Sequence, residues 1–417
     1  MTSQSTRLLL IPCSGEDTAK LTDNIYTILR RDYGLENQVE RLPSIKRKSV
    51  KKDVQKNNLH PLVGDYFPDA ETQVDIGRNQ LKDVIRGKHV VLIEHLLTPN
   101  RKIADGDTQL VSVNDHIMAV RGYLDVISKV NQKDDAIPQI TLAAPYLTYV
   151  RSHSIEKYES RGFYQLDSLR KTLADYRHDG LETLLTIDPH SSKAAQIAGE
   201  LTIDFHSINP FQSARAINPA KLGLVENKAK ELLKRIRPFQ ERFNLLRGDD
   251  ANHIYIVSVD DGNEARAENF IERAFPDLPP EEVYPKLAYF DKDRFSYGDS
   301  ATRFKPFSNL NENTIDKEGT YIIIDDMFST GGTANKVAKI FKSAGAKRVE
   351  VWVSHAVTMP LQYASANDRT YIDEVVALDT VPQSSELKVT YINASADLLA
   401  AELYKVHQKL LTSPKMQ

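Results

Sequence analysis

At 417 residues the chain exceeds the size at which one hydrophobic core keeps growing, which favours two domains. Hydrophobic residues make up 41% and charged residues 27%, a composition that excludes disordered and fibrous classes. The formal net charge of −3 gives no general attraction to nucleic acid or to an anionic membrane, so any phosphate binding must be local.

The apolar run at 8–12 is far too short for a signal peptide, and no later run approaches the roughly 20 residues of a membrane span. A cytoplasmic protein is expected. The lone cysteine, Cys13, can form neither an internal disulfide nor a cysteine-based zinc site, which agrees with a reducing compartment; it reads as a small strand-end residue. Apolar runs rich in Val and Ile at 7–13, 89–94, 139–144, 183–188, 253–259, 321–326 and 349–354 predict buried strands. Amphipathic stretches at 17–31, 113–129, 220–235, 264–274 and 333–344 predict helices between them. This alternation predicts parallel sheets covered on both faces, and the series occurs twice, before and after about residue 208. Segment 46–56, with five lysines and one arginine, reads as a solvated loop, and 311–319 as a polar surface connection.

The sharpest motif is 321–334, Tyr-Ile-Ile-Ile-Asp-Asp-Met-Phe-Ser-Thr-Gly-Gly-Thr-Ala. A buried strand ends in two carboxylates and passes through a hydroxyl- and glycine-rich loop into a helix. Gly331 and Gly332 let backbone N–H groups close around a phosphate. Ser329, Thr330 and Thr333 add hydroxyl donors, and the helix N-terminus adds positive potential. Asp325 and Asp326 are expected to face ribose hydroxyls, directly or through magnesium. Helix capping alone would account for Ser-Thr-Gly, but not for two acids closing an apolar strand, whose burial is costly without a cation.

This stretch resembles the phosphoribosyl-pyrophosphate binding loop of type I phosphoribosyltransferases and ribose-phosphate pyrophosphokinases. Further segments resemble the pyrophosphokinases in particular, in the family's order and over nearly the whole chain. The segment 67–72, Phe-Pro-Asp-Ala-Glu-Thr, looks like the one that reaches the adenine of ATP across a subunit interface; Phe67 would stack on the base and Asp69 and Glu71 would accept from its amine. The stretch 144–151, Ala-Pro-Tyr-Leu-Thr-Tyr-Val-Arg, is similar to the strand end whose arginine, here Arg151, binds the ATP phosphates, with Arg161 as the second arginine. In 185–191, Leu-Thr-Ile-Asp-Pro-His-Ser, His190 matches the histidine that binds the magnesium bridging those phosphates. Asp260, in 256–262, matches an aspartate contacting a second magnesium or the ribose. Finally, 288–294, Ala-Tyr-Phe-Asp-Lys-Asp-Arg, resembles a mobile flap whose Lys292 and Arg294 would close over the transferring phosphates.

The resemblance implies an α/β fold of two tandem type I phosphoribosyltransferase-like domains, each a mostly parallel sheet flanked by helices. Residues 1–208 would form the ATP-side domain and 209–417 the ribose-phosphate-binding domain. It implies transfer of the β,γ-pyrophosphate of ATP to the anomeric hydroxyl of ribose 5-phosphate, with Mg2+ as cofactor. Partners are ATP and ribose 5-phosphate, without nucleic acid or membrane, in a homo-oligomer of at least two and as many as six copies. The chain departs from the family pattern in three places. Ser152, His153 and Ser154 replace the polar residues usual after the first arginine, Ser329 stands where many members carry an acid, and extra residues fall near 38–64 and 214–252. The extra residues leave open a larger 5-substituted ribose such as ADP-ribose as acceptor, and the substitutions after Arg151 a regulatory synthetase-like subunit without catalysis; the shared loop also fits a phosphoribosyltransferase, against which the ATP-side segments argue.

Overall fold

The computed structural model describes residues 7–42, 63–66, 72–75, 84–103, 108–131, 139–151, 159–160, 162–211, 226–247, 252–259, 264–275, 279–293, 301–304, 310 and 313–412. Contacts divide the chain into two compact units, Met1–Ile208 with Ile217–Ala229 and Ser395–Gln417, and Asn209–Ala216 with Lys230–Ala394.

In chain order the first unit carries β1 (Leu8–Pro12), α1 (Gly15–Tyr33), β2 (Val39–Arg41), β3 (Val63–Tyr66), β4 (Thr72–Asp75), β5 (His89–Ile93), α2 (Val113–Asn131), β6 (Ile140–Ala144), α3 (Ser168–His178), β7 (Thr183–Ile187), α4 (Lys193–Glu200) and β8 (Asp204–Ile208). Six strands form one parallel sheet in the order β2-β1-β5-β6-β7-β8. Every residue of β1, β5, β6 and β7 is buried, as continuous apolar strands covered on both faces must be. Helix α1 carries Glu16 and Asp17 in its first turn and Arg30 and Arg31 in its last, which suits the helix dipole. It stops at Gly34, whose φ of +69° returns the N–H to Leu29 O. The hairpin β3–β4 rests on α2 at Gly122, where a Cβ would lie 2.7 Å from Val74 Cγ2.

After α5 (Glu226–Arg235), which crosses the division between the units, the chain forms α6 (Pro238–Arg247), β9 (Ile254–Ser258), α7 (Glu264–Ala274), α8 (Pro280–Val283), β10 (Leu287–Asp293), β11 (Ala301–Phe304), β12 (Thr320–Phe328), α9 (Gly332–Ser343), β13 (Arg348–Ala356), α10 (Tyr363–Asn367), β14 (Glu374–Leu378), β15 (Thr390–Ile392) and α11 (Ser395–Leu411). The second sheet runs β11-β10-β9-β12-β13-β14-β15, parallel except for the β10–β11 edge. Its core includes Ile323, Phe328, Val337, Phe341, Val351 and Val353.

Three features differ from the sequence-based expectation. Helix α11 belongs to the first unit rather than closing the second, because its apolar face packs on α1 and β7, with Tyr404 and Tyr33 ring centroids 4.9 Å apart. In the region 214–252 a second helix, α6, follows the expected one. It buries Phe239 and Phe243, and Phe239 stacks on Phe211 at 4.1 Å and on Trp352 at 5.9 Å. Strand β12 continues past Asp326 to Phe328 because β13 keeps pairing with it as far as Ala356. Segment 46–56 lies outside the described residues. Among the described residues, no helix is long and apolar enough to cross a membrane.

Candidate functional site

Open parallel sheets bind ligands outside the C-terminal strand ends, where the order of strands reverses. In the second unit β9 is followed outward by β10, whereas β12 begins the run in the other direction, so the reversal falls between β9 and β12. Asp325 and Asp326 stand at this end of β12. Side chains alternate along a strand, so with the strand continuing to Phe328 the two carboxylates lie on opposite faces. Asp326 is 4% exposed on the buried face, while Asp325 is partly exposed and accepts from the Asp326 N–H at 2.8 Å through Oδ1.

The loop that follows is closely held. Gly331 has φ of +75°, and a Cβ there would come within 2.6 Å of the Phe328 ring, so glycine is required twice over, by conformation and by space. Phe328 is backed by Arg369, whose guanidinium lies 5.8 Å from the ring centroid. Thr358 Oγ1 donates to Ser329 O at 2.7 Å and Val357 N to Phe328 O at 2.8 Å, anchoring the loop to the chain after β13. The 12-residue α9 then starts at Gly332 without a side-chain cap, and Thr330 is exposed above it. Ser329, Thr330, Gly331, Gly332 and Thr333 thus frame one helix N-terminus that offers N–H groups and no opposing carboxylate from its own first turn.

Lys292 lies on β10, opposite Thr302 of β11. Beyond Tyr289, β10 pairs with β11 and no longer with β9 among the described residues, so Lys292 sits on a two-stranded ribbon extending past the sheet edge. Arg294, Asp260, Phe67, Asp69, Glu71 and Arg161 fall outside the described residues. For Phe67, Asp69 and Glu71, the flanking hairpin β3–β4 is in place.

In the first unit Arg151 follows β6 and His190 follows β7, adjacent parallel strands, and both residues are exposed at the C-terminal sheet edge. Tyr149, with φ of +62°, and Asp188, with φ of +38°, each precede one of them by two residues. Glu94 and Ser14 also occupy this edge, at the ends of β5 and β1. Ser14 Oγ donates to Glu94 Oε1 at 2.5 Å, His116 Nδ1 lies 2.6 Å from the same oxygen, and Thr98 Oγ1 lies 2.7 Å from His116 Nε2. Arg101 Nη1 donates to Ser14 Oγ at 2.9 Å. Glu94 and His116 are fully buried, and burial next to Glu94 pushes the Cys13 thiol well above its ordinary range, which leaves that thiol inert. No motif in the sequence announced this network, because its members come from three separate stretches, at 14, 94–101 and 116.

Taken separately, the first unit offers the His190 imidazole and the second the Asp325 and Asp326 carboxylates, and among the described residues no three His, Cys, Asp or Glu side chains form a closed cage, so a hard divalent cation at either place would be held openly. Magnesium accepts such sites because water and substrate phosphate complete its shell.

The phosphoribosyl transferase domain family matches residues 228–380. A ribose-phosphate pyrophosphokinase of Prochlorococcus marinus is 26% identical over 354 residues, 84% of each chain. A protein of the same name from Ralstonia nicotianae is 28% identical over 320 residues, 76% of each chain. Among solved structures, phosphoribosylpyrophosphate synthetase from Mycobacterium smegmatis shares the fold with a TM-score of 0.63 and 16% identity, over 97% of this chain and 99% of that one. The two parallel sheets are accordingly two phosphoribosyltransferase-like domains in tandem.

Proposed function

We propose that the chain, like the relatives named ribose-phosphate pyrophosphokinase that it resembles over most of its length, transfers the β,γ-pyrophosphate of ATP to the anomeric hydroxyl of ribose 5-phosphate. The observation that carries the sugar-phosphate half of this reading is the loop after β12, where left-handed Gly331 opens α9 beside Asp325 and Asp326; the ATP half is supported by likeness to the pyrophosphokinases over both units. The anomeric oxygen attacks the β-phosphorus in line; the bond from that phosphorus to the oxygen bridging it to the α-phosphorus breaks, and AMP departs with that oxygen. The protein contributes position and charge more than covalent chemistry.

Ser329, Thr330, Thr333 and the N–H groups at Gly331 and Gly332 bind the 5-phosphate, while Asp325 and Asp326 orient the ribose hydroxyls. Arg151, Arg161 and His190 hold the triphosphate, with Phe67, Asp69 and Glu71 on the adenine. Lys292 and Arg294 neutralise charge on the departing bridge oxygen. His190 and Asp260 are the residues that would hold magnesium, which when bound neutralises the phosphates. A cytoplasmic homo-oligomer of at least two copies belongs to the same reading.

The deciding assay follows AMP release by the purified protein with ATP, Mg2+ and ribose 5-phosphate, beside a Lys292→Ala control. AMP together with phosphoribosyl pyrophosphate, lost in the control, is the expected result. Turnover with ADP-ribose alone moves the acceptor, and silence with both overturns a catalytic role.

A further inference from the structure

The start of α2 is held by side chains with separate tasks. Ser112 and Asp115 form a capping box, with Ser112 N donating to Asp115 Oδ2 at 2.6 Å and Asp115 N to Ser112 Oγ at 3.3 Å. His116 turns inward and, at 2.6 Å from Glu94 and 2.7 Å from Thr98, ties the helix to the end of β5. Asn114, between them in sequence, is exposed, and its Oδ1 accepts a hydrogen bond from Tyr149 OH at 2.5 Å.

Tyr149 is the residue that most needs a restraint. Its φ of +62° is left-handed, a region that bulky side chains rarely enter and that persists only where the surroundings fix it. The chain thereby turns just before Val150, which is buried, and Arg151, which is exposed. Among the described residues three non-glycine residues have positive φ, and two of them, Tyr149 and Asp188, stand two positions before the pair assigned above to the triphosphate. Backbone strain is thus concentrated at this strand edge. Asn114 thus links the strained turn at Tyr149 to a helix already fixed at two other points.

We propose that Asn114 is a positioning residue which, through the Tyr149 hydroxyl, holds the turn after β6 so that Arg151 is aimed at the triphosphate of ATP. The inference rests on the proposed role of Arg151. Neither Asn114 nor Tyr149 needs to touch substrate.

Steady-state kinetics of the full-length protein, varying ATP at saturating ribose 5-phosphate, tests it. Loss of one neutral hydrogen bond predicts about a five- to tenfold rise in the KM for ATP in Asn114→Ala, with kcat within about twofold and the KM for the sugar unchanged. Tyr149→Phe, which lacks only the hydroxyl, should reproduce this, and Asn114→Asp, which keeps an acceptor oxygen, should restore it. In an Arg151→Ala background, Asn114→Ala should add nothing, because its effect runs through the missing guanidinium. Wild-type KM for ATP in both Asn114→Ala and Tyr149→Phe, or effects additive with Arg151→Ala, overturns the proposal. Should Asn114→Ala fold poorly, Tyr149→Phe decides alone. An unchanged KM for ATP in Arg151→Ala itself overturns the assignment of Arg151 and the aim with it, whereas AMP release by the wild type reports separately on the overall reaction.

Discussion

The two sheets reverse their strand order at equivalent places, between β1 and β5 in the first unit and between β9 and β12 in the second. The first reversal point is filled from within. Ser14, Glu94, Thr98, His116 and Arg101 hydrogen-bond to one another there, and all but Arg101 are buried. The second is framed by a glycine turn, hydroxyls and an uncapped helix N-terminus, with Thr330 and Gly332 exposed. Topology creates the crevice in both; whether a ligand can use it depends on whether the strand-end side chains satisfy one another or leave N–H groups outward.

If this contrast holds, removing a carboxylate from β12 should cost activity, whereas altering the β1–β5 network should cost stability. The largest effect is expected at Asp326. Asp326→Asn should lower AMP release about a hundredfold or more, with the thermal midpoint nearly unchanged. Because Asp325 lies on the other face and already accepts from the Asp326 N–H, Asp325→Asn should be the milder change. Equal activity in both variants and the wild type would remove β12 from the site.

A smaller effect, on stability, is expected at Glu94. Glu94→Gln leaves the buried Ser14 and His116 without their shared anionic acceptor and should lower unfolding free energy by about 1–3 kcal/mol in urea denaturation, with kcat unchanged. Lost turnover at full stability would instead make the β1–β5 crevice a working site and erase the contrast.

The smallest effect is a pH dependence of the first unit. His89 and His407 stack at 5.5 Å, and burial, joined at His89 by the charge of its partner, lowers them to about 3 and about 4. Both are neutral in the fold and take up protons more readily when unfolded. Their contribution is complete above about pH 6.5 and is lost as pH falls toward those lowered values. His206 has the opposite sign. Burial lowers it, but Glu402 and Asp204 more than compensate, so its raised pKa loses stability only as pH climbs above 6.5. The thermal midpoint should therefore fall by on the order of a few degrees between pH 7 and pH 5, and His407→Phe should flatten that slope. An unchanged slope would assign the acid sensitivity to other groups.

Much of this arrangement is legible in the chain. Strands such as β5, β6 and β12 are continuous apolar runs that only a doubly covered sheet can bury, and the alternation with amphipathic helices leaves few topologies. The loop 329–333 is legible for a local reason, since its glycines, hydroxyls and helix start are contiguous. The network around Glu94 and the strained turn at Tyr149 are not, because they join segments distant in sequence.

The sequence by itself determined the central buried strands, the main amphipathic helices and the glycine- and hydroxyl-rich turn that opens α9, because those properties follow from residue type and short-range periodicity. Tertiary structure alone decided that α11 returns to the first unit, that β12 runs on to separate Asp325 from Asp326, and that one strand reversal is sealed while the other is framed by exposed groups. Each of those outcomes depends on which distant side chains meet at a strand end, and hydrogen bonding there is settled only when the sheet has formed.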